Sequence, residues 1–232
     1  LGGYLIEDYL KKKKTIVKSN RTNNLSFVCI FDEKDGGYLP RMLDTLPDCE
    51  KVLLLVKNGE VDKLELHTET EKLKVGILYL KEFAFDKARN YAKEVATNDW
   101  IFSIDADERL CIDQHEVILN LTKQIQYDCF QFVICDTPTA QSGIVRRMFR
   151  KELNWVGKAH EQIISDKVAR TNILIRHEGY TSKETLIEKQ ERNLKLMLKD
   201  IDNNTNEYYY NIILNSAKNI KEFRDGEKNT DR

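Results

Sequence analysis

The sequence predicts an α/β fold of three layers, with a mostly parallel central sheet, additional antiparallel strands and C-terminal helices. Three observations predict it. Residues 25–31 and 51–56 are near-continuous apolar runs, the pattern of strands covered on both faces. Residues 83–96 carry Phe85, Ala88, Ala92 and Val95 at steps of three and four, an amphipathic helix of the kind that links parallel strands. Residues 100–104 form a third apolar run that stops at Asp105, Asp107 and Glu108, and in open α/β sheets ligands gather at such carboxyl ends.

The elements follow in order. Residues 1–24 read as an arm or short helix ahead of the core, with Lys11 to Lys14 a solvated face. Leu25–Phe31 is the first central strand and ends at Asp32 and Glu33. After the Gly36-Gly37 turn, residues 38–46 have helical spacing, with Pro40 tolerated in the first turn. Residues 51–56 form the second strand, closed by Lys57-Asn58-Gly59. The charged stretch 60–72 reads as a short exposed helix or irregular crossover, and Leu73–Leu80 as the third strand. Beyond the helix over 83–96 and the strand at Trp100, residues 117–125 look helical. Residues 127–134, 142–149, 153–164 and 169–175 are strand candidates that extend the sheet. Thr181, with Glu184 three residues on, has the form of a helix cap. Leu186, Leu194, Met197, Leu198 and Ile201 then form a helical stripe, and a second helix runs from Glu207 to about Phe223. The division expected is an arm (1–24), a catalytic domain (25–180) and a helical extension (181–232).

With 37 basic against 38 acidic side chains, there is no overall field to attract a polyanion, which disfavours a strongly basic nucleic-acid binder. No apolar stretch approaches the roughly 20 residues of a membrane span, and the first residues lack the pattern of a secretory signal. Five cysteines without close pairing read as buried thiols in a reducing compartment. The expectation is a cytoplasmic protein, able to work peripherally at the inner membrane face. A start at Leu1 is compatible with trimming from a longer chain.

Asp105 and Asp107 cannot be buried without compensation, since desolvating an unpaired carboxylate costs several kcal/mol. The chain must emerge there, and hard carboxylate oxygens facing one way suit Mg²⁺ or Mn²⁺ against a phosphate. The plain alternative is that acids at this point start a turn or cap a helix. Arg89 can make bidentate contacts to diphosphate oxygens, and Asn90 can orient the donor or the backbone; both also fit an ordinary polar helix border. Glu161 can take a proton from an attacking hydroxyl or thiol, with His160 placing the acceptor. Consecutive strand residues face opposite ways, so both serve one site only if the backbone turns there. His177 offers an imidazole to a metal also held by Asp107. Arg147 and Arg150 can answer donor phosphate or an acidic acceptor, or mark a basic surface turn.

Five segments in sequence order carry a resemblance: residues 85–90 (FDKARN), 99–108 (DWIFSIDADE), 147–150 (RMFR), 157–161 (GKAHE) and 177–180 (HEGY). Their order resembles family 2 glycosyltransferases with the GT-A fold, in the branch of lipopolysaccharide-core sugar transferases and bacterial peptide S-glycosyltransferases. The resemblance implies a nucleoside-diphosphate-sugar donor such as a UDP-sugar. Asp32, Glu33, Arg89, Asn90, Asp105 and Arg147 are then donor-binding, Asp107 and His177 hold Mn²⁺ or Mg²⁺, and Glu161 is the base for displacement with inversion. His160 and Trp155 place the acceptor, whose class stays open among glycan, peptide, lipid-linked sugar and modified nucleic acid. Oligomeric state is equally open.

The chain departs from the family pattern at three points. Asp32-Glu33 stands where Asn-Glu is common, Lys57 where a nucleoside-binding carboxylate is expected, and Ala84 where an acid often precedes the aromatic. An ammonium cannot accept a nucleoside's hydrogen bonds. Two other readings stand beside the first: a nucleotidyltransferase of related fold, which can use the same kind of sheet and acidic strand end, and a non-catalytic nucleotide-sugar binding protein, to which Lys57 points.

Overall fold

The computed structural model of the protein describes residues 23–136, 142–179, 183–199, 201 and 207–230. All but the last two residues of the expected arm lie outside them, as does the cap at Thr181. The strands are β1 (Leu25–Phe31), β2 (Glu50–Asn58), β3 (Lys63–Glu69), β4 (Leu73–Leu80), β5 (Trp100–Ser103) and β6 (Glu108–Leu110). They continue as β7 (Cys129–Asp136), β8 (Ser142–Arg150), β9 (Trp155–Val156), β10 (Gln162–Ile163) and β11 (Val168–His177). The α-helices are α1 (Leu39–Asp44), α2 (Phe85–Val95), α3 (His115–Leu121), α4 (Lys183–Leu198) and α5 (Glu207–Thr230).

Among the described residues, nine strands form one sheet in the order β3-β4-β2-β1-β5-β8-β7-β11-β6. The apolar runs occupy its parallel centre, where β2 and β5 flank β1 and β4 lies beyond β2. The second half of the chain adds β8 antiparallel to β5 and β7 antiparallel to β8, with β11 parallel to β7. Alternation along β1 sends Leu25, Phe27, Cys29 and Phe31 to one face, where they pack with Leu39, Met42 and Ile118 of α1 and α3. Val28 joins Val52, Leu54 and Ile101 on the other face under Ala88 and Ala92 of α2. Phe27 and Phe102 stack across β1 and β5 with ring centroids 5.0 Å apart, and Phe102 meets Phe132 edge-on at 4.9 Å. Such pairs add about 0.5–1.5 kcal/mol each to their burial.

Two expectations are corrected. The stretch 60–72 holds strand β3, antiparallel to β4 at the sheet edge, rather than a helix or crossover. Its register shifts between Leu66 and Thr68, and Gly76 lies opposite, where an added Cβ would come within 2.5 Å of the Glu65 carbonyl oxygen. The strand expected over 153–164 is instead the small hairpin β9–β10 around a loop. Residues 108–110, to which the sequence assigns no element, form β6 antiparallel to β11.

At the amino ends of β2 and β4, opposite to the carboxyl ends, Glu50 and Lys74 make a buried pair at 3.1 Å. Ser26 Oγ and the Thr97 amide also donate to Glu50.

Candidate active site

At the carboxyl ends of β1 and β5 lies a cavity of about 700 Å³. Asp32, Arg89, Asp105, Asp107, His160, Glu161 and His177 all contribute to its wall. The sheet explains why: β1 and β5 are paired neighbours, so the residues that follow each strand emerge side by side.

Asp105 is held by two guanidinium groups. Arg89 Nη2 donates to its Oδ1 and Arg147 Nη2 to its Oδ2, both at 2.8 Å. Burial raises the Asp105 pKa, but Arg147 and Arg89 overcome this and hold the carboxyl well below the usual carboxylate range. Glu108 turns inward, fully buried, where Arg147 pairs with it and the Asp105 amide donates to its Oε2 at 3.0 Å. Burial pushes the Glu108 carboxyl up to about 7 against the pull of Arg147. Of the three acids after β5, Asp107 is thus the one set against His177 at the cavity wall.

Asp107 Oδ2 stands 3.2 Å from His177 Nε2, at the end of β11. The other ring nitrogen, Nδ1, is 2.6 Å from Asp136 Oδ1. Burial lowers the His177 pKa, but the bonds to Asp107 and Asp136 outweigh it and raise the imidazole to about 9. Burial likewise raises Asp107, and the His177 bond reverses the effect to leave it below its ordinary value. Gly179 closes against this pair: a Cβ there would lie 1.7 Å from Asp107 Oδ2 and 3.0 Å from His177 Nε2. The two side chains meet because position 179 has no side chain.

Glu161 reaches the cavity through a bend. Gly157 takes φ 105° and His160 takes φ 53°, the left-handed region that a non-glycine residue enters only occasionally. That turn brings the adjacent side chains of His160 and Glu161 to the same cavity, meeting the condition set by strand alternation. The bend is tied to α2, whose Phe85 amide donates to the Lys158 carbonyl at 3.0 Å. Ala84, the N-cap of α2, makes no side-chain cap, so this carbonyl satisfies one amide of the helix start. Arg89 Nε donates to Glu161 Oε1 at 2.6 Å and Nη1 to Ser103 Oγ at 2.8 Å. One guanidinium therefore links Glu161 to Asp105.

The remaining expected residues stand outside this wall. The Asn90 side chain clasps the Trp155 backbone, donating to its carbonyl at 3.0 Å and accepting from its amide at 2.9 Å. Trp155 is buried edge-on to Phe149, with Arg89 over its ring at 5.2 Å. Arg147 lines a neighbouring cavity of about 330 Å³ that shares Asp105 and His177 with the first. Arg150 lies over Trp100, where β8 pairs with the beginning of β5. Glu33 pairs with Lys57 at 2.8 Å on the surface. The Lys57 hydrogen bond lowers the Glu33 pKa, and neither residue lines the cavity.

Several wall residues escaped the sequence reading: Asp35, Tyr38, and Glu188, Lys189 and Arg192 from α4. Asp136, the partner of His177, was also missed. The α4 residues sit in the stretch read as an extension, and their spacing of one helical turn was the available signal.

Among the described residues, no three His, Cys, Asp or Glu side chains converge to hold a cation by themselves. The pair Asp107–His177 nevertheless fits one. Its carboxylate oxygen and imidazole nitrogen, joined here by a hydrogen bond, are donors of the kinds that such ions accept. Asp136 behind the imidazole is the supporting carboxylate that ligating histidines commonly have. Such ions are often held by one or two side chains, with substrate phosphates completing the shell.

No protein-family model and no curated protein matches the sequence. Among solved structures, the chain is similar to S. aureus TarS at 12% identity, over 83% of this chain and 43% of that one, with TM-score 0.50. It is also similar to TarS 1–349, at 11% identity over 82% and 69% of the two chains, with TM-score 0.47. A third is the mannosyltransferase PcManGT from Pyrobaculum calidifontis in complex with GDP-Man and Mn²⁺, at 11% identity over 93% and 76%, with TM-score 0.45. At such identities likeness speaks to fold alone. The fold is an α/β architecture with a mixed sheet and C-terminal helices that matches GT-A.

Proposed function

We propose that this chain is an inverting glycosyltransferase, akin to family 2, that moves a sugar from a nucleoside-diphosphate-sugar donor to a nucleophilic acceptor with help from Mn²⁺ or Mg²⁺. The observation that carries this reading is convergence. Asp32, Arg89, Asp105, Asp107, Glu161 and His177 come from separate segments to one cavity in a sheet of GT-A type. A UDP-sugar is the proposed donor. The proposed domain division keeps 25–180 as the catalytic unit and 181–232 as a helical extension.

Asp107 and His177 are the residues that would hold the cation, and His177 must release its Nε2 proton to do so. A bound divalent ion would offset negative charge on the departing nucleoside diphosphate. Arg89 organises the rest: its fork fixes Asp105 and aims the Glu161 carboxylate. Glu161 keeps one oxygen outside that bond, and we assign it to accept the proton of the attacking acceptor group. The His160 side chain lines the same cavity, and we assign it to orient the acceptor. Displacement by one acceptor with one base inverts the anomeric carbon. No described helix is long and apolar enough to cross a membrane.

The test is a screen of nucleoside-diphosphate sugars with Mn²⁺, read by mass spectrometry for bound donor and released product. Nucleoside diphosphate is expected. Release of sugar 1-phosphate would mean nucleotidyl transfer, and donor binding without release across a broad acceptor set would mean a binding protein. Asp107→Ala should abolish metal-dependent donor binding, whereas Glu161→Gln should retain binding and lose turnover. Full activity in both variants would remove these roles.

A further inference from the structure

The C-terminal helix α4 is more than a neighbour of the cavity. Its last turns are anchored by Leu196 and Met197, buried with Ala159 and Ile213, so the helix is docked on the segment that carries His160 and Glu161. Earlier along the same helix, Lys189 and Arg192 reach the cavity wall beside Glu188. The Arg192 guanidinium rests over the Phe85 ring at 5.0 Å. Lys189 Nζ lies 3.6 Å from Asp107 Oδ2 and 3.5 Å from the Gly179 carbonyl oxygen. The carboxylate oxygen it approaches is the one that faces His177 Nε2.

A divalent cation seated between Asp107 and His177 would meet this ammonium at close range, and like charges in a partly desolvated site repel strongly. Lysine has a flexible four-carbon stem and a compact charge, so Lys189 can leave Asp107 without disturbing the helix. On the donor site proposed above, the anion that would arrive with the cation is the donor's diphosphate.

Resting on the donor site proposed above, we infer that Lys189 has two successive partners: the Asp107 carboxylate before the cation is held, and the donor's diphosphate afterwards. The helical extension thereby supplies part of the donor site, and Arg192, one turn on, is a second cation from the same helix at that wall.

The two partners give opposite effects on removal. In the full 232-residue chain, Lys189→Gln should bind Mn²⁺ alone about fivefold more tightly, because a competitor for Asp107 is gone. The same variant should bind inorganic pyrophosphate in the presence of Mn²⁺ about tenfold more weakly, because a charge-assisted contact is lost. Lys189→Arg, which keeps the charge, should retain pyrophosphate binding. Mn²⁺ is followed by paramagnetic resonance titration, pyrophosphate by calorimetry, and folding by thermal melts. Unchanged affinities in the glutamine variant, or a fall in both, would overturn the inference. Wild-type protein that binds neither probe would instead remove the donor site itself, whereas wild-type binding with an indifferent Lys189→Gln removes only the role of Lys189.

Discussion

Gly179→Ala is the sharpest test of the cation seat, because it adds one methyl group and no charge. Gly179 has no positive φ, so alanine fits the backbone there. Its Cβ would nevertheless sit 1.7 Å from Asp107 Oδ2 and 2.7 Å from Asp107 Cγ. Ordinary contact between heavy atoms is ~3.5 Å, so the carboxylate must retreat by roughly 1.5–2 Å. Metal–ligand distances tolerate only about 0.2 Å, and the displacement exceeds that several times over. The carboxylate borders the cavity, so on giving up its contact with His177 it has open space to turn into and the fold should survive. Alanine restricts the unfolded chain by about 0.4–1 kcal/mol, which offsets part of the lost Asp107–His177 contact. The melting temperature should therefore shift by only a few degrees, at about 2–4 °C per kcal/mol for a chain of this size. Mn²⁺ affinity should fall at least as far as when a supporting residue is removed, about 10–100-fold. Titration by paramagnetic resonance, with circular dichroism as the check on folding, measures both. A folded variant that binds Mn²⁺ as the wild type does would refute the assignment of Asp107 and His177 as the seat.

Asp136→Asn should weaken Mn²⁺ binding by about 10–100-fold, because it removes the carboxylate that orients the His177 ring; an unchanged titration would make Asp136 a bystander. In the Glu50 site, burial raises the carboxyl pKa, but Ser26, Thr97 and Lys74 outweigh it and hold it below its ordinary value. Its contribution to stability is therefore present above the unfolded pKa of ~4.3 and is lost as pH falls through the folded value. The melting difference between wild type and Glu50→Gln should accordingly shrink between neutral pH and pH ~3, and a constant difference would contradict the linkage. Burial raises the thiol pKa of Cys49 to about 11 and of Cys129 to about 12, and pushes Cys29 up as well. Iodoacetamide at pH ~8 should thus label the half-exposed Cys111 and Cys135 first, with peptide mapping as the readout; early labelling of Cys29 would show that the core opens.

The centre of the fold was legible because β1, β2 and β5 are buried on both faces and have no polar alternation to disguise them. β3 was not, because an edge strand is half exposed: Leu64 and Leu66 do alternate, but Lys63, Glu65 and Glu69 between and beside them mimic a solvated crossover. β6 escaped for the opposite reason. Glu108 and Arg109 are buried charges, and their burial depends on Arg147 and Glu178, which arrive from distant parts of the chain. At the site, Arg89, Asp105, Asp107, Glu161 and His177 were identifiable by chemical type and by order along the chain. The contacts that join them, Arg89 with Asp105 and Glu161, and Asp107 with His177, were not.

What the sequence determined is local: which segments must be buried, where each strand has to surface, and which side chains carry useful charge, since hydrophobic periodicity and the cost of desolvating an acid act within a few residues. Tertiary structure decided the rest. It spent Asp105 and Glu108 on guanidinium groups, set Asp107 against His177, folded two consecutive side chains toward one cavity at His160, and brought Lys189 from the last part of the chain to the same carboxylate. Those outcomes are distances between groups far apart in sequence, and electrostatic energy depends on such distances rather than on the order in which the residues are written.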